Sequence, residues 1–198
     1  MQEAPLMLKN KTARRIKAIP GFVFPGGVRV IINFTVDFDA MIFRKFLREP
    51  KLWCAQGEFG GRTGLWRLLD VFGEFDVRTT LFLPGQTGLL YPEVLRRAVR
   101  EGHEIANHMW DHHTPPTLEE EAVHMDRTDT LIKGLTGQYP AGTRSEHDLA
   151  ALRDHAYTYV SYTPQGEFPF YVYYENIGKW MLNLPISFIH DDAMFFYF

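Results

Sequence analysis

The sequence predicts an α/β fold built on a parallel sheet, and three observations predict it. Val28 to Phe38 is a nearly continuous β-branched and apolar run, as expected of a strand buried on both faces. Beyond it, short apolar runs alternate with segments of helical period, which implies parallel strands joined by crossover helices. The polar clusters around Asp37 and His108 each follow such a run, at the strand ends where α/β proteins build their sites.

Taken in order, residues 1–27 are polar and then rich in Pro and Gly, and read as an N-terminal arm ahead of a single domain over 28–198. The strand Val28 to Phe38 delivers Asp37 and Asp39, which alternation points to the same side. Met41 to Gly64 is of mixed character, with Pro50 and Gly57, Gly60 and Gly61, and reads as a long irregular insertion over the site that helps set specificity. Its Trp53 and Phe59 are assigned to local packing. Leu65, Leu68, Leu69 and Phe72 mark one face of a helix that stops at Gly73. A strand over Val77 to Leu83 is closed by Pro84-Gly85. Pro92 opens the next helix, lined by Val94, Leu95, Ala98 and Val99 and ended by Gly102.

His103 to Ala106 is a short buried strand, and it runs into Asn107-His108-Met109-Trp110-Asp111-His112. Pro115-Pro116 prevents a helix from continuing back through the second histidine, so both histidines belong to the loop. Thr117 begins a long helix, with Glu119, Glu120 and Glu121 complementing its positive end and Leu118, Ala122, Met125 and Ile132 facing inward. His124 is read as filler. Pro140 to Arg144 forms a short strand, Leu149 to His155 a short helix and Tyr157 to Tyr162 a further strand. The aromatic tract Pro164 to Tyr174 suits a carbohydrate-stacking surface or a packed hairpin, the second being preferred. Met181 to Ile189 is the last strand, before His190-Asp191-Asp192.

A net charge of -3 gives no reason to expect nucleic acid or an anionic membrane as partner. The basic stretch Lys9 to Lys17 reads as a solvated arm. Cys54 is the one cysteine, so no intrachain disulfide forms and a reducing compartment is the default. With no apolar leader and no run long enough to span a membrane, a cytoplasmic location is expected.

An isolated His-x-x-x-His is a weak signal, because the spacing arises by chance. Its weight here comes from the paired aspartates upstream. Two imidazoles and one carboxylate suit zinc or a similar divalent ion with an open water position, and a second carboxylate can take the proton. That is a hydrolase constellation.

Read in order, these motifs resemble the polysaccharide deacetylase family, which includes chitin and peptidoglycan N-deacetylases, over roughly Val28 to Phe198. The resemblance implies a distorted (β/α)7-type barrel, with Asp37 as catalytic base and Asp39, His108 and His112 as metal ligands. Gly142-Thr143-Arg144 matches the motif whose arginine orients the base, although Glu146 stands where that motif has proline. The segments around Tyr162 to Phe170 and Leu184-Pro185 look like a branch holding intracellular peptidoglycan-deacetylase-like proteins and allantoinase- or imidase-like hydrolases.

The expected function is metal-dependent hydrolysis of a carbon–nitrogen bond that is not a peptide bond, with an N-acetylated sugar as substrate. A cyclic amide or ureide is the alternative. The family's last histidine, its general acid, has no match, since His190 adjoins Asp191-Asp192; this suggests a barrel incomplete at its C-terminus and a second alternative, an impaired metal-binding member. The apolar ending Met194 to Phe198 suggests a homo-oligomer.

Overall fold

The computed structural model describes residues 25–113, 115–145, 152, 155–161, 168–174 and 178–196. Among the described residues seven strands form one sheet in the order β1 (Thr35–Asp37), β2 (Thr80–Leu83), β3 (Glu104–Asn107), β4 (Gly142–Thr143), β5 (Tyr159–Val160), β7 (Lys179–Asn183) and β6 (Phe170–Tyr174). All neighbouring pairs are parallel except β6 with β7. This is the α/β, mostly parallel architecture of a distorted (β/α)7-type barrel. The arm over residues 1–24, Glu146 and most of the helix expected over Leu149 to His155 lie outside the described residues.

The helices follow their sequence signals with additions. They are α1 (Met41–Phe46), α2 (Lys51–Phe59), α3 (Leu65–Glu74), α4 (Gly85–Leu90), α5 (Pro92–Arg100), α6 (Leu118–Thr136) and α7 (Ala193–Phe196). Thr117 caps α6 by accepting from the Glu120 N–H, and Gly137 ends it in the left-handed conformation. Leu69, Leu95 and Ile132 from three helices pack on Leu81, Leu83 and Ile105 of the sheet. A second cluster gathers Met109, Met125, Leu152, Tyr157, Val160 and Met181. Burial of this kind contributes about 25 cal/mol per Å² of apolar surface, so these two clusters are the main source of stability. Among the described residues no helix is long and apolar enough to cross a membrane.

Four expectations need correction. The strand expected over Val28 to Phe38 is paired only from Thr35, because its neighbour β2 begins at Thr80. Upstream, residues such as Ile32 (73% exposed) pair with no strand among the described residues, and β-branched composition alone does not make a strand. The insertion at 41–64 is not irregular: it is α1, α2 and a π-helical turn over Gly60–Gly64 that runs directly into α3. Gly57 permits this hairpin, since a Cβ there would lie 2.8 Å from the Met41 Cα. Pro84-Gly85 does not simply close a strand, as Gly85 begins α4. The last strand is Lys179–Asn183, and the chain then turns into a 3-10 helix over Phe188–His190 rather than extending to Ile189. The hairpin reading of the aromatic tract matches the β6–β7 pair, where Tyr173 packs on Trp180 at 5.1 Å between ring centroids.

Candidate metal centre

Three strand ends meet at one place. Asp37 is the last residue of β1, with Asp39 two residues on; His108 follows β3 directly; Arg144 follows β4. Nε2 of His112 lies 2.8 Å from Oδ1 of Asp39, and Nε2 of His108 lies 3.7 Å from the same oxygen. One donor atom from each of the three residues falls within 4.8 Å of the others. Donors about 2.0–2.2 Å from a tetrahedral ion stand roughly 3.3 Å apart, a spacing bracketed by the two distances to Asp39. Two imidazole nitrogens and a carboxylate are the donor chemistry of such a site, so the residues fit a divalent ion.

The candidate donors are oriented by contacts from neighbouring elements. His108 directs Nδ1 at the carbonyl of Arg144. A carbonyl only accepts, so Nδ1 carries the proton and Nε2 keeps its lone pair toward Asp39. The Asp39 backbone carbonyl is held by the Thr87 hydroxyl of α4 at 3.0 Å. The first two amides of α4, which have no partner inside the helix, donate to the Met109 and Trp110 carbonyls at 2.9 and 3.0 Å. Thus α4 holds the backbone on both sides of the candidate donor set. His113, the next residue, is exposed and lies edge-to-face with Phe46, 4.9 Å between ring centroids.

Burial would raise the Asp39 carboxyl, but the hydrogen bond from His112 and the nearby His108 and Arg144 charges outweigh it and hold it below the usual carboxylate range. His112 is displaced the other way, since its bond to Asp39 outweighs the burial that opposes its charge.

Arg144, only 6% exposed, spends every donor group of its guanidinium. Nη1 donates to Asp37 Oδ1 at 2.6 Å, Nη2 to the Thr35 and Ser161 hydroxyls at 3.1 and 2.9 Å, and Nε to Ser161 at 3.2 Å. Its carbon sits 3.8 Å from the centroid of the Phe82 ring, which completes the cage. The other oxygen of Asp37 stands 4.0 Å from Nε2 of His108. One carboxylate is therefore fixed beside the donor set, without being part of it, by a cation that cannot leave.

Sequence reasoning gave no role to Thr35, Thr87 or Ser161. Nothing in their local pattern distinguishes them, because their partners are remote in sequence. Phe43 and Phe46 also escaped notice: from α1 they set their rings 5.0 and 6.1 Å from that of His112, forming an aromatic wall. His124 approaches Asp111 at 3.9 Å, and His190 bonds the Ser187 hydroxyl at 2.8 Å on an exposed turn.

A profile described as polysaccharide deacetylase matches residues 56–160. A peptidoglycan deacetylase-like protein of Gibberella zeae is 31% identical over 137 residues, covering 63% of the chain and 40% of that protein. The chain spans less than half the length of the curated relatives it matches. The crystal structure of a protein assigned as a polysaccharide deacetylase, from Mycobacterium smegmatis, superposes with a TM-score of 0.79 at 25% identity, over 90% of the chain and 66% of the other. The Puue allantoinase structure superposes with a TM-score of 0.77 at 22% identity, over 87% of the chain and 66% of its own, a likeness of fold.

Proposed function

Since the chain belongs to the polysaccharide deacetylase family, we propose that it hydrolyses a carbon–nitrogen bond other than a peptide bond, removing an N-acetyl group from an amino sugar or polysaccharide. The observation that carries this reading is the Asp37–Arg144 pair at 2.6 Å beside the Asp39, His108 and His112 donors. In it Asp39, His108 and His112 hold a divalent ion, zinc by the donor set. Such an ion lowers the pKa of bound water toward neutrality and polarises a carbonyl. Asp37 accepts the proton of the attacking water, and Arg144 orients that carboxylate by donating to its Oδ1. Thr35 and Ser161 hold Arg144 in place, and His108 keeps its tautomer through the Arg144 carbonyl.

The test is zinc content by elemental analysis together with acetate release from N-acetylated chitooligosaccharides and peptidoglycan fragments. Zinc-dependent acetate release is expected, and its loss in Asp37→Asn with zinc retained. A wild-type chain that binds no divalent ion at micromolar concentration overturns the reading.

A second reading, opening of a cyclic amide or ureide ring, is favoured by the aromatic wall of Phe43 and Phe46 beside His112, which suits a small planar substrate. Ring opening of a cyclic ureide with no acetate release from glycans would select it. Association of copies belongs to the same proposal, supported by exposed apolar side chains at Ile32, Ile189 and Phe195. Sedimentation velocity giving a monomer at all concentrations would remove it.

A further inference from the structure

A buried carboxylate next to the histidine loop takes no part in the reaction described above. Asp129 of α6 is 5% exposed. Its Oδ1 accepts from Asn107 Nδ2 at 2.6 Å and from the Tyr157 hydroxyl at 2.7 Å, and its Oδ2 pairs with His155 Nδ1 at 2.8 Å. Burial and the Asp129 charge hold the Tyr157 hydroxyl well above the ordinary tyrosine range, so it remains a donor. His155 stacks on the Tyr157 ring and lies 3.8 Å from Asp126, the other charged group facing it.

The consequence runs through Asn107. A carboxylate can only accept, so the Asn107 amide must present its NH2 to Asp129 and, at 3.3 Å, to the Met125 carbonyl. Its oxygen is then committed to the opposite side, where it accepts from the Met109 N–H at 2.7 Å. Met109 has φ 63 and His112 has φ 68, a left-handed conformation unfavourable for residues with a side chain. The loop does not hold this shape by local preference and must be braced from outside. The Thr128 hydroxyl, next to Asp129 on α6, supplies a second brace by donating to the Met109 carbonyl at 2.9 Å.

We propose that Asp129 is a positioning residue that sets the orientation of the Asn107 amide, and through it the loop backbone that spaces His108 and His112. This rests on the reading of those histidines as ion ligands. An anchor serving only the core would need His155 and Tyr157, but would have no reason to grip the residue immediately before His108.

The test uses the full chain and compares Asp129→Asn with Leu95→Ala, a cavity variant in the other core cluster that lowers the unfolding temperature without touching the loop. For Asp129→Asn, zinc affinity by competition titration should fall about tenfold. The absorption spectrum of bound cobalt(II) should shift at full occupancy, and amide exchange at Met109 should accelerate more than in β2. Leu95→Ala should change neither affinity nor spectrum.

Unchanged affinity and spectrum in folded Asp129→Asn overturn the proposal, as does an equal affinity loss in Leu95→Ala. If Asp129→Asn does not fold, Asp129→Glu takes its place with the same expectation, since it keeps the charge but displaces the oxygens from Asn107. If the wild-type chain binds neither ion, the ligand reading fails, and Met109 exchange alone decides whether Asp129 braces the loop.

Discussion

The main-chain carbonyl of Arg144 receives the Nδ1 proton of His108, while its guanidinium holds Asp37 at 2.6 Å. One residue thus orients the proposed ligand His108 through its backbone and the proposed base Asp37 through its side chain. The two functions separate by mutation, because substitution changes only the second.

Arg144→Lys should therefore retain bound ion but lose turnover. An ammonium cannot reach Asp37, Thr35 and Ser161 at once, and Asp37 is freed to rotate. A fall of about 10²-fold in kcat with zinc content within twofold is expected from initial rates and elemental analysis.

Asp37→Asn and His108→Ala should part company. The first removes the proton acceptor, so the rate should drop by about 10²–10⁴-fold with the ion retained. The second removes a ligand, and the ion should be lost on dialysis. Equal ion loss in both would make Asp37 a ligand and place the base elsewhere.

Phe43→Ala and Phe46→Ala open the wall beside His112. For a small planar substrate each should raise KM about five- to tenfold, the equivalent of roughly 1 kcal/mol of aromatic contact, with kcat little changed. An extended glycan should be nearly indifferent. Steady-state kinetics on both substrate classes makes the comparison.

His103 predicts a pH dependence of stability away from the site. Burial lowers its pKa, and its Nδ1 must stay unprotonated to accept from the Thr79 N–H at 3.2 Å. The unfolded chain, with its histidine near 6.5, binds the proton more readily than the fold does. The stabilisation is therefore complete above that value and is lost as pH falls through it toward the lower folded value. Urea midpoints should decline from pH 7 to pH 5, and His103→Asn, which keeps an acceptor but no titrating ring, should flatten the decline.

The elements that could be read from the sequence are those whose causes are local. Thr117 and Gly137 bracket α6, and Pro92 opens α5. The errors have non-local causes. Val28 to Phe34 has the composition of a strand but pairs with no strand among the described residues, and 41–64 contains enough glycine to look irregular although Gly57 serves close helix packing. At the site, the donors stood out by chemistry and spacing. Thr35, Ser161, Thr87 and Asp129 did not, because their meaning lies in contacts across 17 to 109 residues of chain.

The two core clusters have a kinetic and mechanical consequence. One packs β1 to β3 with their helices, the other packs β5 and β7 with the histidine loop, and the two-residue strand β4 stands between them. Asp37 and Arg144, 107 residues apart, face each other across that seam. A loop of this length closes only at a cost in chain entropy, so the pair should form when the halves dock rather than when either one packs. Partial opening of the seam would part Asp37 from the Arg144 guanidinium while most helices stay intact. Under mild urea, turnover should fade before helical ellipticity does, making activity the finer gauge of whether the two halves remain docked.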